Sequence, residues 1–301
     1  MEKGIIRLIQ EKGPLTGADI LKEVGGDGLA LWRTCQSSEA LITRRVGTRY
    51  LRLDRRVQGF ARLSPSILRE FLTFTVVGIP DDPTSLEKKI SELCFHIDDV
   101  NRAKLELAFN LVSSIARGIE NELEEEHQVC FIIAGDIVYG MAHDVPRPER
   151  STGKLVNGSD MDIVVVVDDR FPGHLMKRLD DAIYKEKYRL LITPHLREEI
   201  DYIVKRLERV RGQVRFDTFR HMVACKILHE GTLLYGNENL FGTLKVLLRE
   251  HGVSQRLAEL DKKARDFRKN AEAHLLLRDL EEIKEESLHL FYPAEESEEF
   301  E

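Results

Sequence analysis

Asp160 and Asp162 stand two residues apart at the mouth of the run Ile163-Val164-Val165-Val166-Val167. The run is β-branched and too short to cross a bilayer, so it reads as a buried strand. Side chains alternate along a strand, which turns the two carboxylates to the same side. Two aimed carboxylates leaving an apolar strand are costly unless a cation lies between them. A hard divalent ion such as Mg²⁺, which takes oxygen ligands, meets that need. Asp-x-Asp also occurs as plain loop decoration, so the elements around the pair decide its meaning.

Upstream, residues 128–134 read as a strand that runs into Gly135-Asp136-Ile137-Val138-Tyr139-Gly140. A strand, a glycine turn and a helix start leave backbone N–H groups free to face an anion such as a nucleotide's phosphates. Gly135 would permit close approach, and Gly140 would end the first helical turn. Asp136 is out of place beside a polyphosphate unless it binds metal, pairs with a base or turns away. Between Gly140 and Asp160, His143, Arg147, Arg150 and Lys154 lie among prolines and glycines. They read as a mobile basic loop suited to phosphates, or as an ordinary surface loop.

Three stretches in order carry a resemblance: Ala134-Gly135-Asp136 with Gly140, then Gly158-Ser159-Asp160-Met161-Asp162-Ile163-Val164-Val165, then His229-Glu230-Gly231-Thr232-Leu233-Leu234-Tyr235-Gly236. Together they resemble the DNA polymerase β-type nucleotidyltransferase superfamily, in particular its small kanamycin-type and antitoxin-type members. The resemblance covers about residues 128–240. Two features depart from it: Asp136 replaces the family's Ser or Gly, and the gap between Gly140 and Asp160 is longer than usual. The resemblance implies a mixed sheet flanked by helices, with Gly135, Asp136, Gly140, Gly158 and Ser159 at the nucleotide. It implies an NTP substrate such as ATP and two Mg²⁺ ions on Asp160, Asp162 and a third carboxylate. The implied reaction moves a nucleoside monophosphate to an acceptor hydroxyl and releases pyrophosphate. Asp201, in an apolar, strand-compatible setting, is the preferred third carboxylate, with Glu199 and Asp217 as alternatives. Leu196 to Arg211 can also be read as one amphipathic helix, which would place Asp201 on the surface. Asp217 sits at the start of an expected helix, Thr218 to Leu228.

The N-terminal region reads as three short helices broken at Gly13-Pro14 and at Gly25-Gly26-Asp27-Gly28, with Thr16 capping the second. Strand-like pieces Ala40 to Arg45 and Tyr50 to Leu53 follow, joined at Val46-Gly47-Thr48. Helices followed by such a hairpin resemble a winged-helix domain over about the first 60 residues. Arg44, Arg45, Arg49, Arg52, Arg55, Arg56 and Arg62 crowd the hairpin with Asp54 opposing them, a pattern that suits DNA or RNA phosphates. A solvated or self-docking basic face is the other reading. Gly78 to Pro83 reads as a linker. A capping box at Thr84-Ser85-Leu86-Glu87 then opens one helix, and Asn101 to Glu122 reads as a second, ending at Glu124-Glu125-Glu126. Beyond the module, Leu240 to Leu248, Val253 to Phe267 and Ala271 to Glu286 read as helices, and Glu295 to Glu301 as an acidic tail. Arg268 and His274 meet the loose spacing of HEPN-type ribonucleases.

The fold expected is therefore α+β in four segments: a winged-helix-like domain at 1–78, linking helices at 84–127, a nucleotidyltransferase module at 128–240 and a helical region at 241–301. The 301 residues suffice for about two cores, and 42% hydrophobic with 32% charged residues is an ordinary globular balance. Cys35, Cys94, Cys130 and Cys225 form no C-x-x-C pair, which fits reduced thiols in a cytoplasm. No apolar run of membrane-spanning length and no leader pattern is present in the sequence given. Net charge is −7, so contact with nucleic acid has to come from the local arginine cluster. The leading expectation is an Mg²⁺-dependent nucleotidyltransferase associated with nucleic acid, able to act as a homodimer. The alternatives are a DNA-binding regulator with an inactive, nucleotide-sensing fold, and an enzyme that nucleotidylates proteins or small molecules.

Overall fold

Glycines at 13 and 25 stop the first two helices, and the three N-terminal helices form where the breaks require: α1 Glu2–Lys12, α2 Gly17–Val24 and α3 Gly28–Ser37, with β1 Leu15–Thr16 between the first two. The computed structural model of the chain describes residues 1–120, 122, 128–149 and 152–291. The Glu124–Glu126 run, Arg150 and the acidic tail lie outside the described residues. Thr16 and Asp19 cap α2 reciprocally, and Asp27 accepts from Ala30 N–H to cap α3.

Next in order are β2 Ile42–Arg45, β3 Tyr50–Leu53, β4 Ala61–Ser64, α4 Ile67–Phe74 and β5 Thr75–Gly78. The expected β2–β3 hairpin is not formed. β5 lies between β1 and β2, antiparallel to both, and β3 pairs instead with β4. The cause is the run Thr75-Val76-Val77-Gly78, which is buried at all four positions. A β-branched segment covered on both faces suits the centre of a sheet and captures β2 as its neighbour.

The two expected linking helices are one, α5 Pro83–Glu120, of 38 residues. Nothing between Asp98 and Asn101 breaks a helix, so it runs through. Its N-terminal cap is Asp82, which accepts from Ser85 N–H at 3.0 Å, in place of the expected Thr84. Pro83 then occupies the first helical position, where its missing N–H costs nothing.

The second half contains β6 Val129–Ala134, a five-residue 3₁₀ turn Gly135–Tyr139, β7 Pro146–Pro148, β8 Leu155–Asn157, β9 Met161–Val167 and α6 Gly173–Ile192. It continues with β10 Ile200–Arg206, α7 Leu207–Gln213, α8 Phe219–Glu230, β11 Thr232–Gly236 and α9 Glu238–Glu250. The helices α10 Val253–Leu277, α11 Leu280–Glu286 and α12 Leu288–Phe291 end the described chain. Thus α10 runs through the Arg268–Asn270 gap left between two expected helices.

The described residues fall into two compact units, 1–98 with 260–291, and 99–259. The division falls inside α5 and α10 rather than at Gly78 to Pro83. The first unit's core gathers Ile5, Ile20, Leu29, Trp32, Phe71, Val77, Leu275 and Phe291. In the second, four strands lie in the order β10-β9-β6-β11. β10 is parallel to β9, and the other two pairings are antiparallel, so the sheet is mixed. α6 supplies the crossover from β9 to β10 that a parallel pair needs. Every residue of β6 and β9 is buried. Phe131, Ile133, Ile163 and Val165 pack with Leu179 and Ile183 of α6 and with Val112 of α5. The architecture is α+β with several small sheets and a C-terminal helical region. Among the described residues, no helix is long and apolar enough to cross a membrane.

Candidate metal centre

The strand pairing builds the acidic cluster. In the parallel register of β9 and β10, Asp162 lies opposite Asp201, and Asp160 stands one residue ahead of β9. One carboxylate oxygen from each of Asp160, Asp162 and Asp201 lies within 4.8 Å of the others. At that spacing, ionised pairs would repel by at least about 3.5 kcal/mol each at an effective dielectric constant of about 20. Arg147 and Lys187, at the edge of the cluster, offset part of that repulsion. A hard divalent cation with oxygen ligands would reverse the sign of that energy.

The reading of Leu196 to Arg211 as one helix is overturned, because residues 200–206 form a strand and Asp201 joins the pair. Asp217 does not join it. Its carboxylate is 54% exposed and bonds His221 Nδ1 at 2.6 Å, beside the start of α8. Glu199 sits one residue before β10, with its side chain 7% exposed and Arg147 Nη2 at 2.8 Å. Burial pushes the Glu199 carboxyl up to about 7; Arg147 opposes the shift, and Asp160 and Asp201 add to it.

Gly135 is fixed by the same sheet. Ala134 lies opposite Asp162, so the chain turns directly beside that carboxylate. A Cβ at Gly135 would stand 1.9 Å from Asp162 Oδ2, and its φ of +71° is left-handed. Only glycine meets both conditions. Gly158 is equally constrained: a Cβ there would lie 1.8 Å from the His143 carbonyl oxygen. Gly140 closes the 3₁₀ turn in the left-handed conformation.

Asp136 turns to Ser159, whose Oγ donates to Asp136 Oδ2 at 2.7 Å. That resolves the misfit of a carboxylate at this position: it is bonded to a hydroxyl of the next motif. The expectation that the turn offers open N–H groups to an anion is corrected at Gly135. Its N–H donates to Glu230 Oε1 at 3.3 Å, so the anion there belongs to the protein. Glu230 also accepts from the Tyr139 hydroxyl at 2.7 Å and from Lys226 at 2.9 Å. The Lys226–Glu230 pair is 4% exposed on both sides and anchors the turn to α8.

Two basic residues flank the cluster. Arg147, on β7, donates from Nε to the Gly158 carbonyl at 2.7 Å and brings Nη2 to 3.7 Å from Asp160. Lys187, on α6, donates to Asp201 Oδ1 at 2.9 Å. The stretch expected as a mobile loop thus contains a short antiparallel hairpin, β7 with β8. Asn157, at the end of β8, bonds the Leu196 carbonyl at 2.6 Å and accepts from Lys104 at 2.7 Å. In the sequence, Arg147 is one basic residue among several in this stretch. Lys187 carried no signal of its own, and Glu230 stood in the third motif without an assigned role, because their roles depend on which elements become neighbours.

The arginines expected to meet nucleic acid are divided. Arg49 forks onto Glu70 with two bonds of 2.6 Å and reaches Glu272 at 2.7 Å. Arg45 lies 3.6 Å from Glu70, and Arg62 is buried and bonds Asp54 at 2.9 Å. Arg44, Arg45, Arg55 and Arg56 are exposed, and Arg52 is half-buried across from Arg62 on β3 and β4. Arg268 is buried and donates to the Pro65 carbonyl, Glu70 and Glu272, while His274 Nε2 lies 3.0 Å from Ser287 Oγ. These bonds occupy the two residues of the HEPN-like spacing with local packing. No protein-family model matches the chain, and no curated protein matches its sequence.

Proposed function

We propose that the second unit is a divalent-metal-dependent nucleotidyltransferase of the DNA polymerase β type. The observation that carries this reading is the convergence of Asp160, Asp162 and Asp201 from adjacent strands onto one point. Gly135, where a Cβ would displace the Asp162 carboxylate, packs against that point in a left-handed conformation. The mixed sheet, with a glycine turn after β6, an Asp-x-Asp entering β9 and a third carboxylate on β10, is the order the resemblance implies. The residues present fit a metal: they are oxygen donors, clustered, and partly shielded from water.

In this reading Asp160, Asp162 and Asp201 would hold Mg²⁺, with NTP as the substrate. Bound Mg²⁺ supplies charge neutralisation at the phosphates and a lowered pKa at the acceptor hydroxyl. The chain's own residues do the positioning. The 3₁₀ turn holds the Asp136–Ser159 bond beside the cluster, and Glu230 fixes the turn from behind. Gly135 lets the Asp162 carboxylate lie against the backbone. A nucleoside monophosphate passes to an acceptor hydroxyl, and pyrophosphate leaves.

The first unit is proposed as a winged-helix-like module that brings a DNA or RNA acceptor through its exposed arginines Arg44, Arg45, Arg55 and Arg56. The bonds of Arg49 and Arg62 to Glu70, Glu272 and Asp54 serve to hold that module together. Incubating the protein with Mg²⁺ and each labelled NTP, with and without tRNA, oligonucleotides or cell protein, tests the reading. Label transfer that disappears in Asp160→Asn and Asp162→Asn supports it. Transfer that survives in the double variant rules out the metal assignment.

A further inference from the structure

We propose that Arg147, one of the two cations at the acidic cluster, turns its guanidinium from Glu199 to the phosphates of the bound nucleotide. The inference rests on the nucleotidyltransferase reading and names a substrate-binding residue within it.

Arg147 differs from an ordinary surface ion-pair partner in where it is held. Its Nε is fixed by the Gly158 carbonyl at 2.7 Å, two residues ahead of Asp160. Its Nη2 lies 2.8 Å from Glu199 and 3.7 Å from Asp160, and its side chain is 24% exposed. One root and one reach therefore place a fixed positive charge at the rim of the carboxylate cluster. The root itself is firm: β7 pairs with β8, and Asn157 ties β8 to Leu196 and Lys104.

A guanidinium at that distance from Asp160 and a divalent ion on Asp160 repel each other. In the metal-free protein, Arg147 supplies part of the positive charge that the clustered carboxylates need. Each ion that enters must overcome it. When a nucleotide enters with the metal, the balance changes, because triphosphate oxygens offer Arg147 new acceptors of higher charge than Glu199. A planar fork suits phosphate, and charge-assisted bonds to it are among the strongest available. An anion sharing a cation with Asp160 comes within reach of a guanidinium already 3.7 Å from that carboxylate. Arg147 thus opposes metal alone and favours metal together with nucleotide, which links the two binding events.

The experiment uses the full chain and two probes: Mn²⁺ alone, followed by electron paramagnetic resonance, and a non-hydrolysable NTP analogue in excess Mg²⁺, followed by calorimetry. In Arg147→Met, Mn²⁺ alone is expected to bind about threefold or more tighter, since a nearby positive charge is gone. The same variant is expected to bind the analogue about tenfold weaker, since a charged hydrogen bond is lost. Arg147→Lys keeps the charge and loses the fork. It should hold Mn²⁺ like the wild type and bind the analogue more weakly. Opposite signs for the two probes are the signature that a hairpin clamp cannot give. If both affinities fall together with the melting temperature, or neither moves, Arg147 only clamps the hairpin and the proposal is overturned. If the wild type itself binds no Mn²⁺, the nucleotidyltransferase reading falls, and this inference with it.

Discussion

The two units each bury a cluster of charged side chains, and the clusters are built on opposite plans. In the first unit the carboxylates point at arginines. Glu70 takes Arg49 and Arg268, with Arg45 nearby, and Glu272 takes Arg49 and Arg268 again. In the second unit three carboxylates point at one another within 4.8 Å, with Arg147 and Lys187 at the flanks. The first arrangement is satisfied as folded and joins α4, α10 and the segment before β3. The second gathers like charges with two cations at its edge, and we propose that a divalent cation completes it. Closed ion networks are complete as folded, whereas converging carboxylates are candidates for a ligand site.

The largest expected effect falls on the converging cluster. Asp162→Asn should lower label transfer from NTP about 1,000-fold or more, because positioning and charge neutralisation are most of this chemistry. Its melting temperature should stay level or rise, since a repulsive charge is removed. The same change in the closed network should do the reverse: Glu70→Gln should destabilise the first unit by about 3–5 kcal/mol, measured by denaturant titration, and leave nucleotide affinity alone.

Gly135→Ala sharpens the contrast from the backbone side. The left-handed φ costs about 1–2 kcal/mol in an L-residue, and the new Cβ displaces Asp162, so transfer should fall by far more than stability. A thermal melt beside an activity assay separates the two. The smallest effect expected is a pH dependence. Burial alone would raise the Glu70 carboxyl, but Arg49, Arg268 and Arg45 outweigh it and hold the group below the usual carboxylate range. A depressed folded pKa adds stability above the unfolded value of about 4.3 and loses it as pH falls through the folded value. Wild type should therefore lose more stability than Glu70→Gln between pH 5 and about 3 in acid melts. Equal losses would mean that Glu70 is not held by the arginines.

Much of the second unit was legible in the sequence because its signals are local. The β-branched run after Asp162, the glycine turn after Ala134 and the Leu-Leu-Tyr-Gly segment each fall within one element. Asp201 needed knowledge of a neighbour: whether it faces the cluster depends on β10 pairing in parallel with β9, and its sequence also allowed a helix. The first unit hid more. The arginine run looked like a phosphate-binding face, while the carboxylates that claim Arg49 come from 21 and 223 residues away. The strand Thr75 to Gly78 carries no strong signal of its own in the sequence, and its capture of β2 changes the sheet. The sequence suggests two helices where α5 is one, and no glycine or proline between Asp98 and Asn101 enforces a break.

The three aspartates are proposed to hold a divalent cation. Mn²⁺ titration of the wild type, Asp201→Asn and Asp217→Asn, followed by electron paramagnetic resonance, tests this directly. The expected result is saturable binding in the wild type, strong weakening in Asp201→Asn and no change in Asp217→Asn. Absence of saturable binding in the wild type, or binding that ignores the loss of Asp201, would contradict it.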